Sequence, residues 1–110
     1  MTQGRFHRQG FPQGPLDAEH LARQTGGDAA LAAEVLALFA GQLRDVLGAL
    51  DAMPVAAVPA AMHKLKGSAR GVGASLVAER AAALEEEPGS VAARRSLREA
   101  AEGTLRAISP

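Results

Sequence analysis

From Leu16 onward apolar residues return every three or four positions, the repeat of helices that each bury one face. The clearest run is Leu31, Val35, Leu38, Phe39, Leu43, Val46, Leu47 and Leu50, a stripe over about five turns and roughly 30 Å of helix. Asp28 stands where its N-cap belongs, and Asp51 to Pro54 closes it. A second stripe joins Val58, Met62, Leu65, Ala69 and Val72, at steps of four, three, four and three. Pro54 and Pro59 fall at its start. Proline is tolerated in a first turn and costly further in, so the regular helix is expected from near Val58. Gly71 and Gly73 end it. A further helix starts at Ser75 or the residue before it, with Leu76, Val77, Ala81 and Leu84 turned inward. Glu87-Pro88-Gly89-Ser90 breaks the pattern, and Ser90 caps a last helix bearing Leu97, Ala101, Leu105 and Ile108. Ahead of them all, Asp17 caps a short helix to about Arg23 with Leu21 inward, which Thr25-Gly26-Gly27-Asp28 terminates.

These elements predict an all-α fold of four amphipathic helices and a short additional N-terminal one. Short connections favour antiparallel neighbours, so the expected architecture is an up-down antiparallel four-helix bundle. Composition sharpens this. Alanine fills 25 of 110 positions, against three phenylalanines and no tryptophan or tyrosine. Alanine is the best helix former and is depleted from strands, so the core is built from small side chains and modest stability is expected. Residues 1–15 differ: Gly4, Gly10, Pro12, Gly14 and Pro15 stand among three glutamines, with little to offset the entropy of ordering. They are expected to form a flexible tail, leaving residues 16–110 as one helical domain.

Charge and chemistry narrow the function. Twelve basic and twelve acidic residues cancel, which argues against the basic excess of a nucleic-acid binder. The absence of cysteine excludes disulfides, thiolate metal sites and cysteine nucleophiles. His7, His20 and His63 are irregularly spaced and no paired carboxylate completes a shell, so no metal is expected. There is no Gly-x-x-x-x-Gly-Lys loop, and Gly71-Val72-Gly73 is better read as a helix terminator than as a kinase glycine loop; no bound cofactor is expected. No apolar run has the length of a signal peptide or a membrane-spanning helix, which predicts a cytoplasmic protein with no membrane partner.

His63 stands outside the apolar stripe of its helix. Its helical neighbours are Pro59, Lys66, Gly67 and Arg70, none a large apolar residue, so it is expected on the solvent side. Glycine inside a helix costs about 0.5–1 kcal/mol relative to alanine, and one reason to keep Gly67 is open space for another protein to approach the ring. Lys66 and Arg70 lie on the same side and can balance the charge of a phosphoryl group on a ring nitrogen. Neutral imidazole is a competent nucleophile near neutral pH.

The run His63-Lys64-Leu65-Lys66-Gly67-Ser68-Ala69, with Gly73-Ala74 and Leu84-Glu85 after it, closely resembles the histidine-containing phosphotransfer (HPt) domain of two-component phosphorelays. Gly26-Gly27-Asp28, Phe39 and the helix order fit too, and the likeness covers residues 16 to 108. The resemblance implies a phosphocarrier without kinase machinery. His63 exchanges a phosphoryl group, carried on Nε2, with aspartates of response-regulator receiver domains downstream of a sensor or hybrid histidine kinase. Lys66 is implied beside the phosphate, Gly67 as the clear approach, and Glu85 as the partner of the other ring nitrogen. A carboxylate accepting from Nδ1–H would fix the tautomer that frees Nε2. The receiver supplies Mg²⁺. Ala56, Ala60, Lys64 and Arg70, with the exposed edge of the long helix, are the expected docking contacts of a monomer. Two alternatives stand beside this: a non-phosphorylated helical adaptor, and the excised HPt module of a larger hybrid or chemotaxis-type kinase. Met1 and the full set of helices favour a free-standing protein.

Overall fold

The computed structural model of the chain describes residues 15–108, and these contain helices and no strand. The helices are α1 (Ala18–Gln24), α2 (Ala29–Leu50), α3 (Val58–Val72), α4 (Ser75–Glu86) and α5 (Val91–Ile108). A single 3₁₀ turn, Val55–Ala57, leads into α3. The tail expected over residues 1–15 lies, except for Pro15, outside the described residues.

Local chemistry starts the helices as the sequence predicts. The Asp17 carboxylate accepts from the His20 amide at 3.0 Å, Asp28 from Leu31 at 3.0 Å, and Ser90 Oγ from Ala93 at 3.0 Å. Each satisfies one of the orphan donors of a first turn. α3 and α4 start without a side-chain cap: Ala57 stands at the N-cap of α3, and Ala74 at that of α4, whose first helical residue is Ser75. The chain turns there through Gly73 in the left-handed region, φ +81°. A Cβ on Gly73 would stand 2.9 Å from the Asp17 carbonyl oxygen. The Asp17 amide also donates to the Gly73 carbonyl at 2.8 Å, so this glycine lets α1 seat against the corner between α3 and α4.

The core follows the stripes, with corrections at their edges. All five stripe residues of α3 are buried. In α2, Phe39, Leu43 and Leu50 are buried, but Leu31 is 41% and Leu38 is 74% exposed. Both belong to the predicted stripe, yet each stands about 120° round the helix from Leu43 or Leu50, beyond what α3 and α5 cover. In α4, Leu76 is exposed as well, and Ala78 joins Val77, Ala81 and Leu84 inside. In α5, Leu105 and Ile108 are only half-buried. Ala100 and Thr104 pack inside with Leu97 and Ala101, and the Thr104 hydroxyl donates to the Ala100 carbonyl at 2.9 Å.

α2 packs on α3 and α5, and α4 packs on the same two, so the four long helices close a ring. The most extensive contact joins α3 to α4, and α1 lies mainly on α3. α2 has no basic residue in its last turn. Two arginines of α5 serve its C-terminus instead: Arg94 donates to the Leu50 carbonyl, and also to the Pro88 carbonyl between α4 and α5, and Arg98 to the Leu47 carbonyl and the Asp51 carboxylate. Among the described residues no helix is long and apolar enough to cross a membrane.

Candidate functional site

Because α3 spends one narrow stripe on the core, its opposite face is free for polar chemistry. His63 stands there with its side chain 73% exposed. The tight turn at Gly73 sends α4 back along α3 and brings Glu85 to the histidine from 22 positions further on. One carboxylate then serves two partners. Oε2 lies 3.2 Å from His63 Nδ1, and Oε1 accepts from Lys66 Nζ at 2.7 Å.

The charge state of Glu85 decides how the ring is read. The hydrogen bond from Lys66 holds its carboxyl below the usual carboxylate range. Partial burial pushes the other way, while the Lys66 charge and the His63 hydrogen bond add to the lowering. An ionised carboxylate only accepts, so Nδ1 carries the proton toward it, and in the neutral ring the lone pair then sits on Nε2. Lys66 and Glu85 are largely shielded, at 19% and 24% exposed against 73% for the histidine. The arrangement is thus a half-buried ion pair holding an exposed ring. Its ammonium lies on the carboxylate, a pairing that sequence spacing alone did not reveal.

Gly67 lies one turn beyond His63, and a Cβ there would meet nothing within 4 Å. Close packing between helices is therefore not what keeps it a glycine. Ala56, Ala60, Lys64 and Arg70 are all exposed. Ala60, His63, Gly67 and Arg70 share one face of α3 by their spacing. Lys64 lies round toward α2, where it lines a groove with Leu38, Gly41, Asp45, Ala61 and Ser68. Leu38, counted with the core in the sequence, is the apolar rim of that groove. Of the three consecutive acids, Glu85 reaches the histidine, while Glu86 and Glu87 are exposed. Among the described residues no three His, Asp or Glu side chains cluster as metal ligands.

A family model for the Hpt domain matches residues 34–109, a span that contains His63, Lys66, Gly67 and Glu85. No curated protein matches the chain, and no solved structure does.

Proposed function

The chain belongs to the Hpt domain family, whose members carry phosphoryl groups on histidine in two-component signalling, and on that premise we propose that His63 is the carrier. The observation that supports this choice is the Glu85 carboxylate at Nδ1, which in the neutral ring puts the lone pair on Nε2, on a side chain largely open to solvent. In the forward step the Nε2 lone pair attacks the phosphorus of an aspartyl phosphate. The N–P bond forms as the acyl O–P bond breaks, and the pair leaves with the aspartate carboxylate. The Nδ1 proton stays hydrogen-bonded to Glu85 during attack, which steadies the ring while positive charge develops on it. Loss of that proton to solvent completes the product. The reverse sequence returns the phosphoryl group to a second aspartate.

Lys66 keeps Glu85 ionised and fixed in this scheme, and Gly67 leaves the partner a clear path to Nε2. The partners are receiver domains, which bring the acidic pocket and Mg²⁺, and a sensor or hybrid histidine kinase further upstream. Docking uses Ala56, Ala60 and Arg70 beside the histidine, with Lys64 and the Leu38 rim of the neighbouring groove. A shuttle must release each partner, so the complex is transient. The ring of four long helices is read as an up-down antiparallel bundle, and the protein as a cytoplasmic monomer with no bound cofactor of its own.

The test is transfer from a panel of labelled phospho-receiver domains to the wild type and to His63→Gln. The expected result is an acid-labile, base-stable label on the wild type alone, with helicity unchanged by the substitution. Receiver binding without any label would instead favour the adaptor.

A further inference from the structure

Lys66 is the cation that resemblance places at the phosphate, but its ammonium is held at 2.7 Å by Glu85 Oε1 and its side chain is 19% exposed. The pair is close to neutral as a unit, which leaves the phosphoryl group to find its positive charge elsewhere. Arg70 is exposed and makes no ion pair among the described residues. Seven positions after His63, it lies about 20° round the helix from it and about 10 Å along the axis. Helical side chains lean toward the N-terminus and cover the preceding turn, so Arg70 leans back toward the histidine. The turn it leans over holds Lys66, whose ammonium is turned to Glu85, and Gly67, which has no side chain and whose Cβ position is empty of neighbours. Lys64, the other exposed cation nearby, stands about 100° away and lines the groove toward α2.

We propose that Arg70, reaching over the bare backbone of Gly67, supplies the positive charge that faces the phosphoryl group entering or leaving His63 Nε2. This rests on His63 being the phosphoryl carrier. The guanidinium fork is suited to a phosphoryl dianion because it offers parallel donors as well as charge. Lys66 then acts through Glu85 on the ring, and Arg70 acts on the phosphorus side. The glycine gains a second use, since a side chain at position 67 would crowd the space beside the arginine and the ring.

Arg70 also occupies the last turn of α3, where a cation complements the helix dipole. The experiment must therefore read the reaction rather than the fold. Phosphoramidate is a suitable donor because it is small and brings no docking surface. Nε2 attacks its phosphorus, the P–N bond breaks, and ammonia leaves with the pair and takes up the displaced proton. Labelling rates are measured on the full chain for wild type, Arg70→Gln, Arg70→Lys and Lys66→Gln, with the His63 ring nitrogens followed by NMR. Arg70→Gln should label about three- to tenfold more slowly, the size of one partly screened charge, with the gap closing at high salt. Arg70→Lys should recover part of the rate, and neither Arg70 variant should move the ring signals. Lys66→Gln should move them. An Arg70→Gln rate equal to wild type overturns this assignment alone. A wild-type protein that phosphoramidate never labels at His63 overturns the carrier reading together with it.

Discussion

α2 and α3 lie side by side and both carry apolar stripes, but the stripes differ in width. The five residues of the α3 stripe fall within about 80° of its circumference, whereas the eight of α2 spread over about 180°. Neighbouring helices cover all of the first and only part of the second, leaving Leu38 and Leu31 outside. The narrow stripe leaves most of α3 free, and there His63, Gly67 and Arg70 line up. The wide one leaves an apolar rim beside them. On the proposed reading, chemistry and adhesion are divided between these two adjacent helices by how much of each the core requires.

Truncation in the two stripes separates them most sharply. Leu65 is 1% exposed, so Leu65→Ala should cost about 2–5 kcal/mol of stability through lost burial and a residual cavity. Leu38→Ala should cost less than about 1 kcal/mol, because the side chain is already mostly in water, while weakening receiver binding measured by titration calorimetry. Equal stability losses by denaturant unfolding would show that the two stripes do not divide the work.

On the α3 side, Glu85→Ala leaves the ring free to rotate and to exchange tautomers. Transfer should slow about ten- to a hundredfold, as expected when a reacting group loses its orientation, in stopped-flow with a phospho-receiver. Lys66→Met should fall short of that, since Glu85 remains.

Much of this was legible in the sequence. The α3 stripe was read residue for residue, since a narrow apolar run flanked by polar residues leaves one orientation open. The caps at Asp17, Asp28 and Ser90 were equally readable, because each bond spans three positions. Leu31, Leu38 and Leu76 were misplaced because periodicity gives a direction on the helix and not the reach of what packs against it. Glu85 was reachable only through the family likeness: 22 residues and a turn separate it from His63, and Glu86 and Glu87 have the same composition. The Lys66–Glu85 pair and the arginine caps from α5 to α2 depend on how helices dock, which no local pattern states.

A smaller effect tests Gly67. In an exposed helix interior Gly67→Ala should stabilise the isolated domain by about 0.5–1 kcal/mol, because nothing within 4 Å opposes a Cβ. Transfer from receivers should nevertheless slow. A faster or unchanged rate in the stabilised variant would remove steric access as the reason for the glycine.

The smallest effect is in pH. The folded pKa of Glu85 is lowered, chiefly by Lys66, so the contribution of its contacts is complete above the unfolded value of about 4.5 and is lost as pH falls through the folded one. Glu85 carboxyl signals should therefore titrate below the unfolded value of about 4.5, and Lys66→Met should bring the midpoint up toward it. A wild-type Glu85 midpoint that Lys66→Met leaves unmoved would contradict the ion pair.

The most direct measurement is which ring nitrogen carries the phosphoryl group. Labelled protein with ¹⁵N-histidine, phosphorylated by a receiver, reports this through the ³¹P–¹⁵N coupling, and the unphosphorylated protein reports which nitrogen carries the proton. The geometry predicts phosphorus on Nε2 of His63, and in Glu85→Ala a loss of the single preferred Nδ1–H state. Phosphorus on Nδ1, the atom Glu85 occupies, would contradict the account at its centre.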